Sequence, residues 1–137
     1  LHGHTGADMA LLDSETGVLF AADLVFNGRA PTTPHAQVDA WLKSLDQLEQ
    51  TPFKILVPGH GDVVTDAAPI RQTRAWLQWL TKRMHDAANA GLDMTELLAL
   101  PLPDEFHDIA VVKAEYPRSV GHLYPAAEAQ AFRGKKP

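Results

Sequence analysis

Three residues stand where chemistry can be done: His4, Asp23 and His60. Both histidines sit among glycines, in Gly3-His4-Thr5-Gly6 and in Pro58-Gly59-His60-Gly61. Glycine lets the backbone turn sharply and leaves an imidazole open to a cleft. Asp23 follows the apolar run Val18-Leu19-Phe20-Ala21-Ala22, and a carboxylate at the end of such a strand either caps the next turn or coordinates something. The chain has no cysteine, so disulfides, iron–sulfur clusters and thiolate zinc sites are excluded, and any metal site must use imidazole and carboxylate. The other histidines read as ordinary residues. His85, His107 and His122 fall in helical sequence, His35 follows Pro34 at a helix start, and His2 stands too near the first residue to be judged.

These residues need elements to hold them. Residues 7–13 lead into the turn Ser14-Glu15-Thr16-Gly17, and residues 18–22 return as the second arm of a β-hairpin. From Asn27 to Pro34 the chain is rich in Gly, Pro and Thr and reads as a loop. Val38, Trp41, Leu42, Leu45 and Leu48 recur at three- and four-residue steps, the pattern of an amphipathic helix lying on a sheet. Phe53–Val57 is a third strand, running directly into the second glycine-flanked histidine.

Beyond it the sequence turns helical. Thr65 or Asp66 can cap a helix whose buried stripe is Ile70, Thr73, Trp76, Leu77, Leu80 and Met84, ending near Asn89-Ala90-Gly91. Asp93-Met94-Thr95-Glu96 has the form of a capping box, and Pro101-Leu102-Pro103 ends the short helix that it opens. Asp104–Phe132 is expected to form two more helices separated around Tyr116-Pro117, with Val120, Leu123 and Phe132 packed on the core. Residues 1–133 are read as one domain, with a metal-motif part at 1–61, a helical part at 62–133 and a tail at 134–137.

Composition narrows the function classes. With 137 residues, 45% of them hydrophobic, the chain can bury one core of ordinary size. A formal net charge of -5 gives no basic surface for phosphates, so nucleic acid is a poor candidate. No apolar run approaches the roughly 20 residues needed to cross a bilayer. A soluble protein is expected, of the cytoplasm or the periplasm.

Taken together, His4–Phe26 (H-T-G-A-D-M-A-L-L-D-S-E-T-G-V-L-F-A-A-D-L-V-F), a helix, and then Val57-Pro58-Gly59-His60-Gly61 resemble the later metal motifs of the metallo-β-lactamase superfamily. The family's order is Gly-His-Thr, a hairpin, Leu-Phe-x-x-Asp and Pro-Gly-His-Gly, and the step of 19 residues from His4 to Asp23 agrees with it. The resemblance implies an α/β (α+β) fold, the C-terminal half of an αβ/βα sandwich with short strands followed by several helices. It implies that His4 is the third histidine of a first zinc site, Asp23 the carboxylate shared by two metals, and His60 the histidine of a second site. Thr5 and Asp8 are expected to orient an imidazole by hydrogen bonding. No catalytic residue beyond the metal ligands is expected. Zinc, as one or two ions, is the expected cofactor, with iron or manganese as alternatives because this ligand set selects weakly among them. A narrower resemblance, carried by Tyr116-Pro117-Arg118-Ser119-Val120, Leu123-Tyr124 and Glu128, is to bacterial zinc hydrolases associated with sulfur oxidation and quinoprotein relays.

The family's other motif, His-x-His-x-Asp-His, has no counterpart in the chain. The sequence opens at Leu1, directly ahead of the first metal motif, so an upstream half is expected and the isolated chain is expected to be inactive. The resemblance implies a hydrolase in which metal-bound hydroxide attacks a carbonyl of the thioester, lactone or amide class in a small-molecule substrate. The alternative is a non-catalytic truncated or pseudo-enzyme domain serving oligomer or partner contacts. In either case an uncovered sheet face is expected to pair with the missing half or with another copy of the chain.

Overall fold

The computed structural model describes residues 1–134. Strand β1 (Leu11–Asp13) turns through residues 14–17 into β2 (Val18–Phe26), as the hairpin reading requires. Gly17 takes φ +79° in that turn, where a side chain would be strained. Helix α1 (Val38–Gln50) then carries the chain over to β3 (Ile55–His60), which lies parallel to β2, so the sheet order is β1-β2-β3. Pro58 is tolerated inside β3 because that strand lies at the sheet edge.

β2 is longer than its apolar run suggested. Leu19 and Ala21 are buried while Phe20 and Ala22 are exposed, the alternation of a half-covered strand. At Ala22 the backbone swings to φ 47° and the register with β3 shifts on both sides of it. Beyond this bulge Leu24, Val25 and Phe26 are all buried. A left-handed residue of this kind costs on the order of 1–3 kcal/mol, so the surrounding packing must hold it in place.

The helices supply most of the core. Trp41, Leu45 and Leu48 bury one face of α1, with Val38 and Leu42 partly buried beside them. In α2 (Ala68–Ala90) all six stripe residues named from the sequence are buried, and Gly91 closes the helix at φ 76°. The N-cap is Ala67, with Asp66 accepting the Ala68 N–H at 2.6 Å. α3 (Met94–Ala99) opens on the capping box, with both the Asp93 and the Glu96 side chains bonded as the motif demands. α1 and α2 pack on β2 and on each other, and α5 packs on α2.

The expected break at Tyr116-Pro117 is absent. α4 is the single turn Asp104–His107, and α5 runs unbroken from Val112 to Gly134 through Pro117 and Pro125. Each proline forfeits one helical hydrogen bond, but both lie on the exposed side, where water can reach the freed carbonyls. The opposite side buries Tyr116, Val120, Tyr124 and Ala127 continuously, and that burial outweighs the local cost. The break falls instead at residues 108–111, where Val111 has φ 57°. Phe132, expected in the core, is 69% exposed. Gly134 ends α5, and the remainder of the expected tail, residues 135–137, lies outside the described residues. Among the described residues no helix is long and apolar enough to cross a membrane.

Candidate metal centre

The segment carrying His4 has no regular structure and is seated on α1 instead. Ser44, buried in α1, donates its hydroxyl to the His2 carbonyl at 2.7 Å, and the Gln37 N–H donates to the Gly3 carbonyl at 2.8 Å. Gly3 lies so close to Trp41 that a Cβ there would come within 2.6 Å of its backbone and ring. The glycine of Gly3-His4-Thr5 is therefore required by close approach to a helix.

Asp23 follows the strained Ala22 at the β2 bulge, which re-aims the strand. Behind it, the Trp41 indole N–H donates to the Leu24 carbonyl at 2.9 Å and fixes β2 against α1. Gly59 faces the Asp23 carboxylate: a Cβ on Gly59 would stand 2.3 Å from Asp23 Oδ1 and 2.6 Å from the Ala22 carbonyl carbon. Gly61 takes φ +89°, and a Cβ there would stand 2.1 Å from the Asn27 carbonyl oxygen. The Asn27 N–H donates to the His60 carbonyl at 2.9 Å and binds the two strand ends together.

These constraints bring His4, Asp23 and His60 together. His4 Nδ1 lies 3.9 Å from Asp23 Oδ2, and His60 Nε2 lies 3.5 Å from Asp23 Oδ1. Each imidazole thus faces a different oxygen of one carboxylate. Phe26, fully buried, lies beneath both rings, stacked on His60 at 4.9 Å and tilted against His4 at 5.9 Å. Trp41 meets His4 edge-on at 5.5 Å. His4 is the more enclosed, its side chain 17% exposed against 41% for His60 and 45% for Asp23.

Thr5 and Asp8 are bonded to each other. The Thr5 hydroxyl donates to Asp8 Oδ1 at 2.8 Å and the Thr5 N–H reaches the same carboxylate, which shapes the loop after His4. His4 Nε2 is paired with Thr32 Oγ1 at 2.9 Å, a residue the sequence reading did not single out. The Pro31-Thr32-Thr33-Pro34 sequence was the available signal, because two prolines stiffen what they enclose. His35, His85, His107 and His122 are exposed, His35 in the loop ahead of α1 and the others on α2, α4 and α5.

The donor chemistry fits a divalent metal. Two ligands about 2.0–2.2 Å from one tetrahedral zinc stand roughly 3.3 Å apart, near the observed His60–Asp23 separation of 3.5 Å. The His4–Asp23 separation of 3.9 Å is wider than that span, so the fit is that of the His60–Asp23 pair alone. Among the described residues no group of three or more His, Cys, Asp or Glu side chains could hold a metal ion by itself.

Residues 1–60 match the model of the Metallo-beta-lactamase superfamily. Solved structures of metallo-β-lactamase fold proteins match the chain as well. A metallo-beta-lactamase from Pontibacter korlensis is 27% identical over 56% of this chain and 38% of its own, with a TM-score of 0.51. A metallo-beta-lactamase family protein from Thermus thermophilus is 20% identical over 94% of this chain and 42% of its own, with a TM-score of 0.64. A double mutant of the sec-alkyl sulfatase PisA1 is 20% identical over 99% of this chain and 23% of its own, with a TM-score of 0.65. The chain therefore spans less than half the length of each of these three proteins. No curated protein matches it. The mixed α/β architecture of short strands followed by several helices is a metallo-β-lactamase-like fold.

Proposed function

We propose that this chain, whose first sixty residues match the metallo-β-lactamase superfamily, carries the shared-carboxylate part of the active site of a metal-dependent hydrolase. The observation that carries the reading is the Asp23 carboxylate, with one oxygen toward each of two imidazoles, 3.9 Å from His4 and 3.5 Å from His60. His4 and Asp23 Oδ2 would serve one metal, and His60 and Asp23 Oδ1 the other. Zinc is the metal proposed, with iron or manganese accommodated by the same donors. When bound, such a cation ionises a water near neutral pH and polarises a carbonyl oxygen.

The chain's own residues prepare the place. Asp23 is held at a strained bulge with no room to retreat toward Gly59, and Phe26 and Trp41 shield the inner side of the rings from water. The substrate class proposed is a thioester, lactone or amide. The remaining ligands are proposed to come from sequence outside these 137 residues. The narrower likeness to sulfur-oxidation and quinoprotein-relay hydrolases rests on residues of α5, and Tyr116, Val120 and Tyr124 among them face the core, which accounts for them without a substrate.

A second reading, a contact domain without catalysis, is favoured by one observation. Leu11 and Phe20 are paired across β1 and β2 and exposed at 59% and 45%, beside the exposed Met9. Metal content, zinc titration and sedimentation of the full-length protein, with Asp23→Asn alongside, separate the two. The hydrolase reading expects zinc bound by the wild type, at least about tenfold weaker binding in Asp23→Asn, and thioester or lactone hydrolysis that falls in parallel. Equal zinc binding and equal turnover in both would sink it; self-association without zinc binding would establish the contact reading in its place.

A further inference from the structure

β1 pairs with β2 only at residues 18–20, so the far end of β2 has no strand on that side. A buried backbone must still pair its polar groups. At Phe26, fully buried, the pairing comes from a helix. The Phe26 N–H donates to Thr73 Oγ1 of α2 at 3.0 Å, a direction that is fixed because a backbone N–H can only donate. The Thr73 hydroxyl proton in turn is within reach of two carbonyls, of Phe26 at 3.1 Å and of Pro69, one helical turn back, at 2.9 Å. Thr73 stands fully buried in the stripe between Ile70 and Trp76, a place that packing alone would give to an aliphatic side chain. Its neighbour Gln72 accepts the Gly28 N–H at 3.0 Å. Between these two holds the Asn27 N–H donates to the His60 carbonyl at 2.9 Å.

We propose that Thr73 is a positioning residue for His60, acting through Phe26: it fixes the Phe26 backbone, and the Phe26 ring in turn sets the plane of the His60 imidazole. The two rings are stacked at 4.9 Å with 24° between their planes, and in that plane His60 Nε2 meets Asp23 Oδ1 at 3.5 Å. Phe26 is also tilted against Trp41 at 6.3 Å and against His4 at 5.9 Å, so its ring is enclosed and follows the backbone that carries it. The same hold reaches His60 by a second route, because residue 27, which binds the His60 carbonyl, lies between the groups that Thr73 and Gln72 take. α2, which holds no proposed ligand, thereby acts on the site through one buried hydroxyl.

This position matters for chemistry on the reading of His60 as a metal ligand, so positioning and metal binding are measured separately. NMR of the metal-free full chain at one fixed pH reads the contact between the Phe26 and His60 rings and the ring-proton shifts of His60. Thr73→Val keeps the volume and removes the acceptor; the ring contact is expected to weaken and the His60 signals to move, with both restored in Thr73→Ser. Thr81→Val is the control, since the Thr81 hydroxyl donates to the Leu77 carbonyl at 2.9 Å within the same helix, and it is expected to leave the His60 signals in place. Zinc affinity is expected to fall about tenfold in Thr73→Val and to return in Thr73→Ser. If Thr73→Val does not fold, amide exchange in the wild type decides: a Phe26 N–H protected like the paired amides of β2 supports the hold, and one that exchanges like a loop amide overturns it. Unchanged His60 signals in Thr73→Val, an equal change in Thr81→Val, or an unchanged affinity beside a wild type that binds zinc overturns the proposal. Altered ring signals in a protein that binds no zinc uphold the positioning and overturn the metal reading alone.

Discussion

The strand region that carries His4, Asp23 and His60 and the helical region after it are held by different physics. Around the three residues, shape is set by close backbone approach and by unusual dihedrals: Gly3 against Trp41, Gly59 against Asp23, Ala22 at φ 47° and Gly61 at φ +89°. In α2 and α5 it is set by a continuous buried stripe, with Trp76, Trp79, Phe106 and Tyr116 in successive ring contacts of 5.2–5.5 Å. The first region has no spare space, so an added methyl group harms it. The second is filled by large side chains, so a removed one harms it.

The sharpest contrast comes from the helical side. Trp76→Ala should empty a fully buried site in the aromatic cluster and cost about 3–5 kcal/mol in denaturant unfolding, while the fraction that remains folded keeps the zinc affinity proposed for the wild type. Equal losses of stability and of zinc binding per folded molecule would abolish the distinction between the regions. Gly59→Ala should do the reverse. Its Cβ meets backbone and carboxylate at 2.3–2.7 Å, so β3 or Asp23 must shift, at about 1–3 kcal/mol of stability. The proposed zinc affinity should fall at least about tenfold in calorimetric titration, because the shift falls on the carboxylate proposed as the shared ligand. Retained affinity would show that Asp23 can move without consequence.

The smallest effect lies in the hairpin turn. The Thr16 hydroxyl, and after it the Glu15 N–H, hold the Asp13 carboxyl below the usual aspartate range. A depressed folded-state value means that the contribution of this turn is present above the ordinary aspartate value and is lost as pH falls through the lowered one. Thr16→Ala should bring the Asp13 titration midpoint back up toward the ordinary range, read by carboxyl NMR. A midpoint that stays put would assign the effect to the backbone donor instead.

Much of this was legible because it is local or periodic. The α2 stripe, the Gly91 terminus and the Asp93–Glu96 capping box follow from a 3.6-residue repeat and from the needs of unpaired helix ends. The three candidate ligands were visible as glycine-flanked histidines and a strand-end carboxylate. Pro117 misled because a proline's local cost is visible in sequence, whereas the buried face of Tyr116, Val120 and Tyr124 that outweighs it exists only once α2 is in place. Thr32 was only half legible for a related reason: its flanking prolines mark a stiff loop, but it stands 28 residues from His4, and nothing in its neighbours tells which imidazole it will meet.

The sequence by itself determined which donors this protein offers, and where helices start and stop when the signal lies within a turn or two. Tertiary structure decided the rest: that Asp23 turns one oxygen to each histidine, that Phe26 lies under both rings, and that α2 holds the Phe26 backbone through Thr73. The physical reason is range. Propensities, caps and turn preferences act over a few residues, while the orientation of a side chain is fixed by whatever atoms packing brings against it, from any distance along the chain.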